Sequence, residues 1–175
     1  MDFKELVKNR QSCRKFDTRE IEEEKLSLIL ESARLAPSAC NSQPYHITVC
    51  KGEACKKVAK ALTGGGMNAF VYDAPVILVI SEGKYNKTAS LGAKIKHNDY
   101  RSIDIGILAS HITCQACDLG VGSCIIGWFD DKKIREICDL DTPTRLAVVL
   151  GYAREDDVLR EKKRLDVSEF IKQKD

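Results

Sequence analysis

The sequence has no large excess of charge of one sign, and it has no long apolar run. Lys and Arg number 28 against 26 Asp and Glu, which leaves a formal net charge of +2. A charge this small excludes a protein that attracts nucleic acid or an acidic membrane through an overall field. No run approaches the ~20 apolar residues of a membrane span, and the N-terminus has no secretory signal. We therefore expect one cytoplasmic domain over residues 1–175, with no nucleic-acid or membrane partner.

Histidine is scarce, and nucleotide-binding motifs are missing. The three histidines, His46, His97 and His111, form no set with Ser, Cys or Asp at a spacing typical of nucleophilic catalysis. Three consecutive glycines at 64–66 match neither Gly-x-Gly-x-x-Gly nor a Gly-Lys-Ser/Thr ending, and they indicate a flexible connector. The sequence therefore offers no recognisable nucleophile-and-base set and no recognisable phosphate loop.

Eight cysteines occur without a secretory signal, which is typical of reduced thiols that pack as small apolar residues. We expect no structural disulfide. His111, Cys114 and Cys117 are spaced three residues apart and could share one side of a helix as metal ligands do. No second pair with such spacing exists, and the surrounding apolar residues favour a packed helix seam over a metal site.

Two basic clusters lie near opposite ends of the chain. Residues 10–16 contain Arg10, Arg14 and Lys15, and residues 160–164 contain four more cations. Guanidinium groups suit phosphate oxygens, so an anionic ligand is one interpretation, and a solvated basic turn and tail is the other. Apolar side chains after the second cluster favour a docked tail; they are Leu165, Val167 and Phe170.

Residues 36–44 form a loop rich in small and amide side chains. Pro37 and Pro44 restrict its backbone, while Ser38, Asn41 and Gln43 offer donors and acceptors that could bind the edge of a flat heterocycle. A long surface loop is the alternative interpretation.

Hydrophobic periodicity predicts the secondary structure. Helices are expected over 2–9, 21–36, 53–62, 100–119 and 131–138, with Asp2 placed to cap the first and Asp130 or Asp131 the last. Strands are expected over 46–50, 74–80 and 144–152, and residues 122–129 should form a strand and a tight aromatic turn. The continuously apolar run 74–80 is typical of a central strand that is buried on both faces. Residues 81–98 are polar and indicate a mobile surface segment. Residues 100–119 are apolar on more than one side, so this helix should meet the core and a partner subunit.

Taken in order, these segments resemble the FMN-dependent nitroreductase family over nearly the whole chain. The residues that carry the resemblance are Arg10-x-Ser12-x-Arg14-x-Phe16, Ala36-Pro37-Ser38 with Asn41 and Gln43-Pro44, Ala74-Pro75, Leu119-Gly120-Val121-Gly122, Ile126-Gly127-Trp128-Phe129, and Gly151-Tyr152 followed by Lys162 and Arg164. The resemblance implies an α+β, three-layer fold in which helices flank a mixed, mostly antiparallel central sheet. It also implies a homodimer with FMN at the subunit interface.

The resemblance further implies which residues contact the cofactor. They are Arg10, Gln11, Ser12, Arg14, Pro37, Ser38, Ala39, Asn41, Gln43, Ile125, Ile126, Gly127, Lys162 and Arg164. The cations at positions 10, 162 and 164 would bind the 5′-phosphate, Gln11 and Ser12 would support the ribityl chain and phosphate, and Arg14 would serve the phosphate or the pyrimidine edge. Pro37, Ser38, Ala39 and Asn41 would line the cofactor from the partner subunit, with Gln43 as a neighbour. The turn at 125–127 would place a backbone N–H near flavin N5.

As a function, the resemblance implies an FMN-dependent oxidoreductase that passes hydride from NAD(P)H to a nitroaromatic, quinone or similar small organic acceptor by a ping-pong mechanism. One alternative is another reduction on the same fold, such as that of an enone, or a dehalogenation. A second is a protein that stores or senses FMN without turnover, and a third is a thiol or metal protein built on Cys114 and Cys117. The acceptor and the choice between NADH and NADPH stay open.

Overall fold

The computed structural model describes residues 1–174, with positions 65, 93 and 94 described by their backbone alone. The helices are α1 Phe3–Asn9, α2 Glu23–Arg34, α3 Gly52–Leu62, α4 Lys87–Lys96, α5 Tyr100–Asp118, α6 Asp131–Cys138 and α7 Val167–Phe170. The strands are β1 Tyr45–Lys51, β2 Val76–Glu82, β3 Gly122–Ile126 and β4 Thr144–Gly151. Short 3₁₀ turns cover Ala39–Asn41, Gly64–Gly66 and Ala69–Asp73.

The four strands form one sheet in the order β1-β2-β4-β3, and each pair of neighbours is antiparallel. A parallel bridge between Ser12 and Ser123 adds the chain's first segment to one edge. Strand β2 lies inside the sheet, and its residues 76–81 are all buried. The prediction that the apolar run at 74–80 forms a central strand is therefore confirmed, because only a strand covered on both faces can be apolar throughout.

Helices cover both faces of the sheet. Along β2, Ile77 and Val79 face one apolar cluster, to which α3 and α6 contribute, while Leu78 and Ile80 face a second cluster beneath α2 and α5. Successive side chains of a strand point to opposite faces, so one strand serves both clusters. The result is helix, sheet and helix in three layers, which agrees with the expected α+β class.

Two helix starts follow directly from the sequence. Asp2 caps α1, with its carboxylate accepting the backbone N–H of Glu5 at 2.9 Å. Asp130 caps α6 and accepts the N–H of Lys133 at 3.1 Å. A short acceptor side chain satisfies one of the N–H groups that lack a partner in the first turn, which is why these positions could be predicted.

Two segments are more regular than the sequence predicts. The expected flexible connector at the glycine triplet is a 3₁₀ turn, in which Gly66 N–H donates to the Thr63 carbonyl at 3.3 Å. The expected mobile segment at 81–98 contains α4, with Asn86 accepting the N–H of Thr88 at 2.8 Å at its start. Leu91 and Ile95 of α4 are exposed, so this helix lacks the strong buried stripe that makes a helix recognisable.

All eight cysteines are free in the structure. Within the described residues, no helix combines the length and the apolar character needed to cross a membrane.

Candidate functional site

The basic arm, which we define as residues 10–16, is fixed to the sheet at two points. Ser12 forms a parallel bridge with Ser123 at the start of β3, and Phe16 forms an antiparallel bridge with Ala153 just after β4. Between them, the backbone N–H of Cys13 donates to the carbonyl of Ser123 at 2.8 Å. Because both attachments use the backbone, they leave the side chains of Arg10 and Ser12 available for a ligand.

Phe16 anchors the arm in the core. Its ring is 1% exposed and lies against Gly151 and Pro75. A Cβ atom added to Gly151 would lie 2.9 Å from Phe16 Cδ1 and 2.8 Å from Pro75 Cδ, which is closer than atoms can approach without displacement. Glycine at this position therefore makes room for the ring.

The C-terminal tail folds back over the arm. Gln11 donates its Nε2 to the carbonyl of Val158 at 3.2 Å, and its Oε1 accepts the N–H of Arg160 at 3.0 Å. Lys162 Nζ donates to the carbonyl of Arg10 at 2.8 Å. The predicted docking of the tail thus extends to position 162. Beyond it, the three apolar side chains expected to dock are exposed in the single chain; they are Leu165, Val167 and Phe170.

Asp157 holds the arm and the tail together. Its buried carboxylate accepts the Arg160 guanidinium at 2.7 Å and the backbone N–H of Arg14 at 3.2 Å. Burial by itself would raise the pKa of Asp157, but the hydrogen bonds from Arg160, Cys13 and the Arg14 amide outweigh it, and the pKa lies below its usual value. Donors that stabilise the ionised form account for this direction.

We expect the stability that Asp157 contributes to be lost in acid. Because its pKa in the folded protein lies below the usual 3.8, this stability is fully present above that pH and is lost as the pH falls through the folded value. Urea unfolding between about pH 3 and pH 6 should show a steeper acid decline for the wild type than for Asp157→Asn. Parallel curves for the two proteins would contradict this role.

The arm, the tail, α1 and α5 line an open cleft of about 760 Å³. Its lining residues are Val7, Lys8, Arg10, Ser12, Gly106, Ser110, Thr113, Cys114, Ile125, Lys162 and Arg164. The volume is within the range of ~300–1,000 Å³ that is typical of small-molecule sites. Burial, followed by the positive charges of Arg10 and Arg164, lowers the pKa of Lys162. The cations from the two ends of the chain therefore repel one another, and an anion between them would relieve this repulsion.

The side of the cleft formed by α5 was not predicted from the sequence. Gly106, Ser110, Thr113 and Cys114 line it, at a spacing that puts small and polar residues on one face of the helix. No heavy atom lies within 4 Å of a Cβ built at Gly106, so the glycine leaves open space there. This face of small and polar residues in an otherwise apolar helix was the sequence signal that could have revealed the α5 side of the cleft.

The His111, Cys114 and Cys117 series shows no sign of metal ligation. His111 Nδ1 lies 3.0 Å from the carbonyl of Ile107, and no group of three potential ligands occurs among the described residues. Beside it is a second cleft of about 500 Å³, lined by Met1, Phe3, Leu6, Ser32, Ser110, His111, Cys114, Gln115 and Asp118. This lining contains no Lys or Arg side chain, so the cleft is a poor site for a phosphate.

The loop at residues 36–44 is an ordered turn and does not line the cation-rich cleft of its own chain. Ser38 Oγ accepts the N–H of Gln43 at 2.9 Å, and Gln43 Nε2 donates to the Asn41 carbonyl at 3.1 Å. The N–H of Ala39 donates to Asp104 Oδ1 of α5 at 2.9 Å. Pro37, Asn41 and Gln43 are exposed. The loop thus exposes three of its side chains on the surface of the single chain, while several of its polar groups bond within the loop or to Asp104.

The remaining predicted residues divide between the cleft and other places. Ile125 is 45% exposed and lines the cleft, whereas Ile126 is buried in the core. Gly127 is exposed, and a Cβ there would meet nothing within 4 Å. Arg14 and Gln11 do not line the cleft, and Gln11 instead binds the tail. The structure therefore brings Arg10, Ser12, Ile125, Lys162 and Arg164 together, out of the fourteen residues that the resemblance implies.

Comparison with known proteins agrees with this architecture. A model of the nitroreductase family matches residues 7–66 and 64–153. The chain is 38% identical to an NADH dehydrogenase of Thermus thermophilus, and the alignment covers 89% of each chain. It is 31% identical to the solved structure of an FMN-dependent nitroreductase of Clostridium difficile, with a TM-score of 0.72 and coverage of 94% of this chain and 92% of that one. A nitroreductase family protein of Streptococcus pneumoniae aligns over 99% of this chain and 100% of its own, with 26% identity and a TM-score of 0.83. The sequence resemblance is thereby confirmed, and the chain belongs to the nitroreductase family.

Proposed function

We propose that this chain passes hydride from NAD(P)H to a nitroaromatic, quinone or similar small organic acceptor, with donor and acceptor using one site in turn. As a member of its family, the chain is an NAD(P)H oxidoreductase of the nitroreductase type with FMN as its cofactor. FMN supplies the hydride-carrying chemistry when it is bound. The order of the two half-reactions and the acceptor class belong to the proposal.

The observation that carries the proposal is the meeting of Arg10, Lys162 and Arg164 around one cleft. A phosphate monoester carries about −1.5 to −2 charges near pH 7 and accepts charge-assisted hydrogen bonds, so it suits three cations that otherwise repel one another. The hydroxyl of Ser12 lies in the same lining and would donate to the phosphate or ribityl oxygens. The residues present therefore fit the phosphate end of FMN.

The lining of the cleft also fits a reaction in which the protein donates no proton. Among the described residues around it there is no carboxylate and no histidine, and the polar groups are hydroxyls, one thiol and cations. Side chains of this kind bind and orient a ligand, whereas general acid–base catalysis normally uses His, Asp or Glu. In this proposal, the chain's own contribution is positioning, electrostatic stabilisation of an anion and restriction of solvent.

A homodimer completes the proposed site. The tail exposes Leu165, Val167 and Phe170, each of which is at least 66% exposed in the single chain, and α5 exposes Ile103. Exposed apolar residues on neighbouring elements support contact with a second copy of the chain. In that assembly, residues 37–43 of one subunit would face the cofactor of the other, which accounts for their absence from the cleft of their own chain.

The colour and turnover of the purified protein test the proposal. We expect a yellow protein that absorbs near ~450 nm, releases FMN when it is denatured, and oxidises NADH or NADPH with a nitroaromatic or a quinone. Steady-state rates at varied donor and acceptor should give parallel double-reciprocal lines, as in a ping-pong mechanism. A colourless protein that rejects added FMN would overturn the proposal. Bound FMN without turnover for any donor and acceptor pair would instead support a storage or sensing protein.

A further inference from the structure

A single charged side chain connects α5 to the loop at residues 36–44. Asp104 is 2% exposed, and its Oδ1 accepts the backbone N–H of Ala39 at 2.9 Å. Ala39 begins the 3₁₀ turn at the centre of the loop. The hydrogen bond is charge-assisted and partly buried, so it belongs to the stronger class of hydrogen bonds.

The loop needs such a restraint because its backbone is strained. Cys40, Asn41 and Gln43 have φ values of 51°, 51° and 47°, which lie in the left-handed region that disfavours most residues with a side chain. Three such residues within four positions persist only where surrounding contacts hold them. The Ser38 hydroxyl supplies one of these contacts from inside the loop, and Asp104 supplies the contact from outside it.

Within the part of the chain that the structure describes, Asp104 is buried without a cation beside it that would compensate for the burial of its charge. Its Oδ2 is buried and has no hydrogen-bond partner among the described residues. The neighbouring groups that sense its charge are the hydroxyls of Tyr45 and Tyr85, whose pKa values are raised by burial first and then by Asp104. A buried carboxylate without a cationic partner is costly for the fold, so stability alone is a poor account of this residue.

We propose that Asp104 is a positioning residue for the cofactor, and that its bond to Ala39 fixes the loop in the conformation that contacts FMN. The inference rests on the proposed function, because the loop has a cofactor to contact only in the FMN-binding dimer. Helix α5 also lines the cation-rich cleft through Gly106 and Ser110. The same helix therefore supports the phosphate site of its own subunit and holds the loop that faces the cofactor of the other.

Two variants remove this hydrogen bond from opposite ends. Asp104→Ala removes the acceptor, and Ala39→Pro removes the donor while leaving the carboxylate in place. Proline is tolerated at the first position of a helical turn, and Ser38 before it already has the extended backbone that proline requires, with φ −146° and ψ 157°. Asp104→Asn keeps an acceptor oxygen and should rescue most of the loss. As a matched control, Asp131→Ala removes another helix carboxylate that accepts one backbone N–H, that of Thr144 at 2.8 Å.

We expect Asp104→Ala and Ala39→Pro each to raise the Kd for FMN by about tenfold and to speed amide hydrogen exchange in residues 36–44. Asp131→Ala should leave the Kd unchanged even if it lowers the melting temperature. A folded Asp104→Ala protein with the wild-type Kd, or with unchanged exchange in the loop, would overturn the inference. If that variant does not fold, amide exchange in residues 36–44 of Ala39→Pro decides: faster exchange supports the inference and unchanged exchange overturns it. The Kd of Ala39→Pro is no test by itself, because Ala39 is also an expected cofactor contact.

The experiment separates this inference from the proposed function. A wild-type protein that binds no FMN would overturn the proposed function, and the positioning role would fall with it. Exchange of the Ala39 amide would still show whether Asp104 restrains the loop. Wild-type FMN binding together with an unaltered Kd in both variants would overturn the role of Asp104 alone.

Discussion

Replacing Arg10 with alanine is expected to weaken FMN binding by about 1.5 to 3 kcal/mol, or roughly 10- to 150-fold. The loss is that of a charge-assisted hydrogen bond between a guanidinium and a phosphate. The backbone carbonyl of Arg10, which accepts the Lys162 ammonium at 2.8 Å, is retained in the variant. The substitution should therefore remove a phosphate ligand without releasing the tail.

Quenching of flavin fluorescence during titration of the apoprotein measures this effect. Arg10→Lys should fall between the wild type and Arg10→Ala, because an ammonium keeps the charge and loses the planar two-pronged geometry. Arg34→Ala serves as the control, since Arg34 is exposed and binds only Glu31 on the surface of α2. An unchanged FMN affinity in Arg10→Ala would remove Arg10 from the phosphate site.

Replacing Phe16 with alanine should lower the free energy of unfolding by about 3 to 5 kcal/mol, the typical cost of deleting a fully buried aromatic ring. The ring is 1% exposed, fills the space left by Gly151, and lies 6.3 Å from the ring of Phe70 between centroids. Since Phe16 also forms the bridge to Ala153 at the end of the basic arm, the arm should become more mobile as well. FMN affinity is expected to fall along with stability.

Urea unfolding followed by circular dichroism measures the loss of stability. Phe16→Leu keeps much of the apolar contact and should cost clearly less than Phe16→Ala. Amide exchange of residues 10–16 reports on the arm independently of global unfolding. A loss below about 1 kcal/mol in the alanine variant would show that the core closes around the cavity, and that the arm does not depend on this ring.

Local patterns predicted much of the fold because their causes are local. Asp2 could be recognised as a cap from the residues that follow it, and the α6 cap could be narrowed to Asp130 or Asp131, of which Asp130 is the cap. The buried strand β2 could be recognised from its unbroken apolar run. The helix α4 could not be recognised, since Leu91 and Ile95 remain exposed and its packing depends on the tertiary context. Periodicity identifies an element only when one of its faces is buried along its length.

The candidate site was predicted less completely, because several of its contacts join residues that are far apart in the sequence. The cations of the arm and the tail stand out in the sequence, and the structure brings Arg10, Lys162 and Arg164 to one cleft. The roles of Asp104 and Asp157 depend on bonds to residues 65 and 143 positions away, to Ala39 and to the backbone of Arg14. Nothing in the neighbouring sequence indicates such contacts. Candidate ligand-binding residues are therefore easier to predict from the sequence than the residues that position them.

The contact between Lys162 and the carbonyl of Arg10 has a consequence for biosynthesis. During translation, the arm leaves the ribosome long before residue 162 is made, so the nascent chain carries half of the proposed phosphate site while the sheet is still incomplete. Strand β4 ends at Gly151, and the sheet can therefore form before the tail is released. Under the proposed function, cofactor loading would follow release of the tail, and we expect a chain that is interrupted after the sheet to bind FMN more weakly than the full chain.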